Sequence, residues 1–254
     1  MTMKTKIDVY VTGQNRPDSV DALAESLVDF ELSQPWSETL RMRVAGKLVD
    51  QCKDTYYICT DENGKLLSRL WTGWGRHERP VANWGHFVTD ESLRGQGIGR
   101  IVMAAWQQDM AERDDLPLAL FCTASERITA FYKPYGWRCA KAGAVKGPLY
   151  FPLGDSPETF EEFCKQYYKP ASSLVFKKAT FEWRHEIDCL FKFYMYCNDL
   201  GYMPDGADSL ETALIKGMDY EIIFTDSNIP VGLAHVLEDG TKDVRIHPDY
   251  LHLL

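Results

Sequence analysis

Leu93-Arg94-Gly95-Gln96-Gly97-Ile98-Gly99-Arg100 is the stretch from which the rest of this 254-residue chain is read. Three glycines within five residues let the backbone approach a ligand closely and turn its amides toward one point. The segment that follows, Ile101 to Ala111, carries an apolar face at helical spacing, and a helix starting there adds its partial positive N-terminus. A glycine loop leading into a helix is a cradle for a pyrophosphate. Upstream, Val81 to Thr89 reads as a buried strand; downstream, past a turn at Asp114, Asp115 and Pro117, Leu118 to Cys122 reads as another. The loop is neither of the common nucleotide motifs. A dinucleotide fingerprint has G-x-G-x-x-G early in a βαβ unit with an acidic residue about 20 positions on, and a P-loop ends in Gly-Lys-Ser/Thr.

A second motif stands one strand further on, Ser125 through Trp137, SERITAFYKPYGW. Together, in this order and spacing, the two resemble the signatures of the GNAT family of acyl-CoA-dependent N-acyltransferases. Arg94 to Gly99 is similar to the family's R/Q-x-x-G-x-G/A loop. The second stretch resembles N-x-x-A-x-x-hydrophobic-Tyr-x-x-x-Gly-aromatic, with Ser125 in place of Asn, Ile128 in place of Ala, and Tyr132, Gly136 and Trp137 on the Tyr, Gly and aromatic positions. The resemblance is specific over about residues 80 to 140 and weaker over 7 to 79.

The resemblance implies an α/β fold with a mixed, splayed central sheet flanked by helices. It also implies acetyl-CoA as co-substrate, with no metal. The cofactor contacts carried over are Phe87, Val88 and Thr89 on the strand, Arg94, Gly95, Gln96, Gly97, Ile98, Gly99 and Arg100 in the loop, and Ser125 and Phe131 beyond it. The implied reaction is direct acetyl transfer to the primary amine of a small, cationic acceptor. The alternatives are a protein or peptide N-acetyltransferase, and a module that binds CoA or a partner without turnover.

Acyl transfer from a thioester to an amine needs a neutral amine, a polarised carbonyl and a proton for the departing thiolate. Tyr132, on the position where the family often has a tyrosine acid, is the candidate for that proton; the competing reading has its ring packing against the pantetheine. For the base, His86 is a residue type suited to the task. Strand alternation, however, puts His86 with Trp84 and Val88 on one face and Asn83, Gly85 and Phe87 on the other, and the resemblance gives the base to the second face. On that parity His86 is a packed strand histidine, unless a bulge reverses the alternation. Glu78 and Glu91 have no better claim, and a water relay is the further alternative.

Composition bounds the remaining choices. With 45% hydrophobic and 26% charged residues the chain can bury one large core or two modest ones. The N-terminus has no long apolar core and no stretch reaches 18 apolar residues, so neither a secretion signal nor a membrane span is expected and the reading is cytoplasmic. Seven cysteines without a C-x-x-C pair read as reduced thiols rather than a disulfide framework or a zinc site, and the family chemistry requires no thiol at Cys122. A net charge of −9 argues against nucleic acid as a partner and leans toward a cationic amine.

Ahead of the loop, Ile7 to Val11 reads as a strand, helices follow from Pro17 and from about Glu38 to Asp50, and Thr55 to Thr60 with Leu66 to Trp71 forms a hairpin around Asn63-Gly64. Thr72 to Pro80 reads as an exposed loop by composition. Residues 219 to 250 repeat the pattern of 54 to 93: Tyr220 to Asn228 parallels Tyr56 to Asn63, Val231 to Val236 parallels the next strand, and Val244 to Tyr250 resembles the entry to the phosphate loop, where Leu251-His252-Leu253-Leu254 stands in place of glycines. The expected organisation is an acyltransferase domain at 1–152, a linker at 153–171 and a GNAT-like α/β half-domain at 172–254 with a helical section from Phe181 to Leu200. Such a half-domain cannot close its own sheet. Its apolar face, including Ile222, Phe224, Leu233 and Val236, is expected to pack on residues 1 to 150 or on a second copy of the chain, a homodimer.

Overall fold

Apolar and aromatic alternation around Asp61 to Lys65 produces a hairpin of β2 (Cys52–Asp61) and β3 (Leu66–Gly75), paired antiparallel with Tyr56 opposite Trp71. The computed structural model describes residues 4–31, 37–200 and 209–254. At the hairpin tip Gly64 takes the positive φ of 79°, and Asp61 Oδ1 closes the turn by accepting from the amides of Asn63 and Lys65, both at 2.9 Å. The exposed loop expected from Thr72 onward begins later. β3 continues to Gly75, with Thr72 and Trp74 fully buried, because the indole surface of Trp74 outweighs the polar and glycine composition around it.

The chain divides into two compact units, one of Met1–Arg76 with Asn83–Leu116 and one of His77–Ala82 with Pro117–Leu254. In the first, β1 (Thr5–Val11) pairs antiparallel with β2, and the strand order continues through β3 to β4 (Ala82–Thr89). Period-two alternation sends neighbouring tyrosines to opposite sides. Tyr56 joins Tyr10, Leu23, Leu27, Leu40, Val44 and Trp71 under α1 (Ser19–Glu31) and α2 (Ser37–Val44). Tyr57 instead donates its hydroxyl to Asp109 on α3 (Ile98–Glu112) at 2.5 Å. Helices therefore cover both faces of these strands, the α/β arrangement the sequence reading expects.

The second unit begins with β5 (Ala119–Ala124), α4 (Glu126–Tyr132), β6 (Arg138–Cys139) and β7 (Gly147–Pro152), in strand order β5-β7-β6. The compact units cut across the boundaries expected at 152 and 172. Where a linker was expected there is a helix, α5 (Phe160–Tyr167), capped by Thr159 and burying Phe160, Phe163, Cys164 and Tyr167. The i, i+3, i+4, i+7 spacing of those four is a helical apolar stripe, which decides against the Gly-Asp-Ser-Pro composition just before it.

Beyond α5, β8 (Leu174–Lys178), helical turns from Phe181 to Met195 that include α6 (Arg184–Asp188), α7 (Leu210–Ile215), β9 (Tyr220–Thr225), β10 (Pro230–Val236) and β11 (Lys242–Ile246) form a second antiparallel sheet in the order β8-β9-β10-β11. This repeats the element order of β1 through β4, down to the 3-10 turn that follows. Asp90 caps Glu91–Leu93 by accepting from Ser92, and His247 caps Pro248–Leu253 by accepting from Asp249. Ile222, Phe224 and Leu233 share one core with Val81, Ala119, Phe121 and Tyr150, so the apolar face of the tail is covered by earlier residues of the same chain, while Val236 is half-buried. Phe121 meets Phe193 at 5.1 Å between ring centroids.

His247 lies among Tyr168, Tyr194 and Tyr250, stacked on Tyr194 at 4.1 Å, and burial pulls its pKa from 6.5 down to about 4. Between those values the unfolded chain binds a proton that the folded chain refuses. Stability is therefore complete above pH 6.5 and is lost as pH falls toward 4, by about 3 kcal/mol from this group at 1.36 kcal/mol per pKa unit. Urea unfolding at pH 7 and pH 5 is expected to show the loss. A His247→Asn variant, which keeps a capping acceptor without titrating, is expected to show a flatter dependence; equal slopes in the two proteins would contradict the assignment.

Candidate active site

The loop enters α3 through two left-handed glycines, Gly95 at φ 82° and Gly97, the N-cap, at φ 88°. A Cβ added at either would meet nothing within 4 Å, so the space before the loop is open, as a cradle for a diphosphate requires. By helix geometry the first amides of α3 have no intrahelical acceptor. Gly97 supplies no side chain to cap them. The side chains around the loop bond back onto it: Arg94 pairs with Glu91 at 2.7 Å and Gln96 Nε2 donates to the Ser92 carbonyl at 3.0 Å. Ile98 is buried, so only its amide is offered outward, while Arg100 is exposed. Gly99 serves another purpose. A Cβ there would come within 3.1 Å of the Phe87 ring and 3.2 Å of Thr89 Oγ1, so the glycine permits the close approach of α3 to β4.

β4 departs from regular alternation. His86 has a left-handed backbone, φ 51°, which costs a non-glycine residue on the order of 1–2 kcal/mol and marks a bulge. Its effect is visible in the neighbours. Trp84 packs edge-on against Trp106 of α3 at 5.8 Å, and Phe87, three residues later, lies on the same side, 5.7 Å from Trp84. His86 points the other way, its ring 5.1 Å from Trp71 in a T-shaped contact on the α1 and α2 face. The parity expected for His86 is thus corrected: it does not share a face with Trp84. The exception the sequence reading left open, a bulge that reverses the alternation, is what the chain adopts. Ser68 Oγ ties the end of β4 to β3 by donating to the Val88 carbonyl at 2.9 Å and contacting Thr89 Oγ1 at 3.0 Å. Next to this point lies a cavity of about 400 Å³, lined by Ser26, Leu66, Leu67, Ser68, Arg69, Val88 and Asp90.

In the second unit Tyr132 ends α4, with its side chain buried beside Phe131 and Trp137 at 5.8 and 6.2 Å. Burial, with Cys122 as a lesser influence, pushes its pKa well above the ordinary 10, so the phenol stays protonated, the form an acid needs. Burial also pushes the Cys122 thiol up, which leaves it a poor nucleophile. Ser125 is exposed at the N-cap of α4 and makes no side-chain capping bond, and Phe131 is half-buried. Gly136, at φ 100°, is required where it stands, since a Cβ would fall 2.9 Å from the Phe151 ring. The seven cysteines are free. Among the described residues there is no group of three His, Cys, Asp or Glu able to hold a metal, and no helix long and apolar enough to cross a membrane.

Sequence reasoning missed the residue that faces His86 and the one that holds it. Trp71 read only as part of a hairpin and Asp54 was not singled out. The one available signal was Gly73, an isolated glycine between Trp71 and Trp74 within a strand, a sign of close approach.

Residues 34–149 match the model of the acetyltransferase (GNAT) domain family. Over those residues, somewhat less than half of the chain, the match is to an acetyltransferase domain. No curated protein gives a significant match to the chain. Among solved structures it is similar to an acyl-CoA N-acyltransferase from Pseudomonas aeruginosa at 18% identity, over 58% of this chain and 99% of that one, with a TM-score of 0.42. It is also similar to the GNAT family N-acetyltransferase YhbS from Escherichia coli in complex with CoA, at 15% identity over 61% and 84% of the two chains, with a TM-score of 0.43. A third likeness is Escherichia coli ElaA, at 12% identity over 58% and 99%, with a TM-score of 0.46.

Proposed function

We propose that the chain transfers the acetyl group of acetyl-CoA directly to the primary amine of a small acceptor. The observation that carries this reading is the pair of left-handed glycines opening α3, with unfilled space in front of them. The amides of residues 95 to 100 hold the pyrophosphate, Arg94 and Arg100 add positive charge near it, and backbone groups of Phe87 to Thr89 orient the pantetheine and the thioester oxygen. Ser125 and Phe131 complete the cofactor contacts. His86 removes the proton from the attacking ammonium or amine, and Tyr132 returns one to the departing thiolate. The reversed face of His86 supports the first role, and a phenol kept protonated by burial supports the second. The net charge of −9 favours a cationic acceptor in the encounter. The repeated element order in residues 174–253 supports reading that part as a GNAT-like half-domain.

The test is turnover of acetyl-CoA against a panel of amines, with released thiol as the readout. The intact chain is expected to release thiol only when an amine is present. In Tyr132→Phe, kcat is expected to fall about 10²-fold while the KM for acetyl-CoA changes little, since the ring still packs. Acetyl-CoA binding without turnover on any amine would favour a binding module instead, and an unchanged kcat in the Phe variant would make the tyrosine structural.

A further inference from the structure

On the face of the first unit that presents His86, the strands hold an arrangement that packing alone does not require. Asp54 of β2 is fully buried, yet it keeps a carboxylate there and accepts the indole N–H of Trp71 at 2.7 Å. Burying a carboxylate is unfavourable unless it is bonded, so the pair holds the indole in one orientation. Room for this comes from a missing side chain. Gly73 stands opposite Asp54 in the β2–β3 register, and a Cβ on it would fall 2.6 Å from the indole ring and 2.7 Å from Asp54 Oδ1. From α2 the guanidinium of buried Arg43 lies over the same indole, 4.8 Å from the ring centroid. The indole so fixed is the group against which the His86 ring sits at 5.1 Å, interplanar angle 64°.

We propose that Trp71, locked by Asp54 and by the glycine at position 73, is the positioning residue that holds the His86 imidazole in its working orientation. The inference rests on the reading of His86 as the base. The left-handed backbone turns His86 out of the regular pleat toward Trp71, so an indole fixed there restrains the direction of the imidazole. The indole meets the His86 ring edge-on, so its effect is expected in the step in which His86 acts.

The test uses the full chain and three variants: Trp71→Phe, which keeps a ring and loses the donor; Asp54→Asn, which keeps an acceptor for the indole and loses the charge; and His86→Gln. Trp71→Phe is expected to lower kcat about tenfold, to leave the KM for acetyl-CoA within about twofold, and to displace the acid limb of the kcat against pH profile. In the His86→Gln background the same Trp71 change is expected to cost less than about twofold more, because residues acting as one unit are not additive. If Trp71→Phe does not fold, Asp54→Asn supplies the same readings at smaller size. A His86→Gln protein with native kcat would overturn the base reading itself. An impaired His86→Gln protein, combined with an unmoved pH profile in Trp71→Phe or with losses that multiply in the double variant, would overturn the positioning role alone.

Discussion

Replacing His86 by Gln is expected to lower kcat by about 10³-fold, within the range that one positioned general base contributes, while the KM for acetyl-CoA stays near its native value. Gln keeps the approximate size and one acceptor but cannot take a proton. Strand alternation alone predicts the opposite, a variant that keeps more than a tenth of its activity, because it puts His86 beside Trp84 and away from the face that carries a base. The left-handed backbone at φ 51° reverses that parity and turns the imidazole toward Trp71. Steady-state thiol release from the purified variant decides between the two. Activity above a tenth of native would return His86 to the role of a packed strand residue and leave a water relay as the base.

The second large effect is expected at Gly97, where Asp should abolish the heat of CoA binding in a calorimetric titration and, with it, the thermal stabilisation expected from CoA in the native protein. Two causes act together. A φ of 88° costs an L-residue on the order of 1–3 kcal/mol, so the loop amides lose their convergence. The new carboxylate would also stand in the open space proposed for the pyrophosphate, and two like charges in a partly desolvated cradle repel. Because a Cβ at Gly97 would meet no atom within 4 Å, the variant should still fold, which circular dichroism can check. Native-like CoA affinity in the Asp variant would mean that the loop is an ordinary turn and that the diphosphate is held elsewhere.

Much of this protein was legible in the order of its residues. The glycine loop, the helix after it and the Tyr132 motif are local features: each depends on neighbours within one turn or one strand, so spacing alone declares them. The hairpin over 55–71 and the tail strands follow from period-two alternation, and the repeat of 54–93 in 219–250, which is β2 to β4 in β9 to β11, was visible as a pattern; the extension of β3 to Gly75 and the match of β8 to β1 were not. Burial at long range was not legible. Phe160, Phe163 and Tyr167 fell in the expected linker; their spacing declares a helical stripe, but that Phe121 and Tyr150 share its core is set by residues distant in sequence. At His86 the adjacent Gly85 is a local hint of a bulge, but it does not say which way the imidazole then turns. Its face is decided by Trp84 and Phe87 both packing on the α3 side, which breaks the regular alternation at the two residues between them. Local spacing determined the motifs and the strands. Tertiary structure alone decided which way the histidine points, since one residue in the left-handed region moves a side chain across the sheet, and only packing partners distant in sequence can stabilise that conformation.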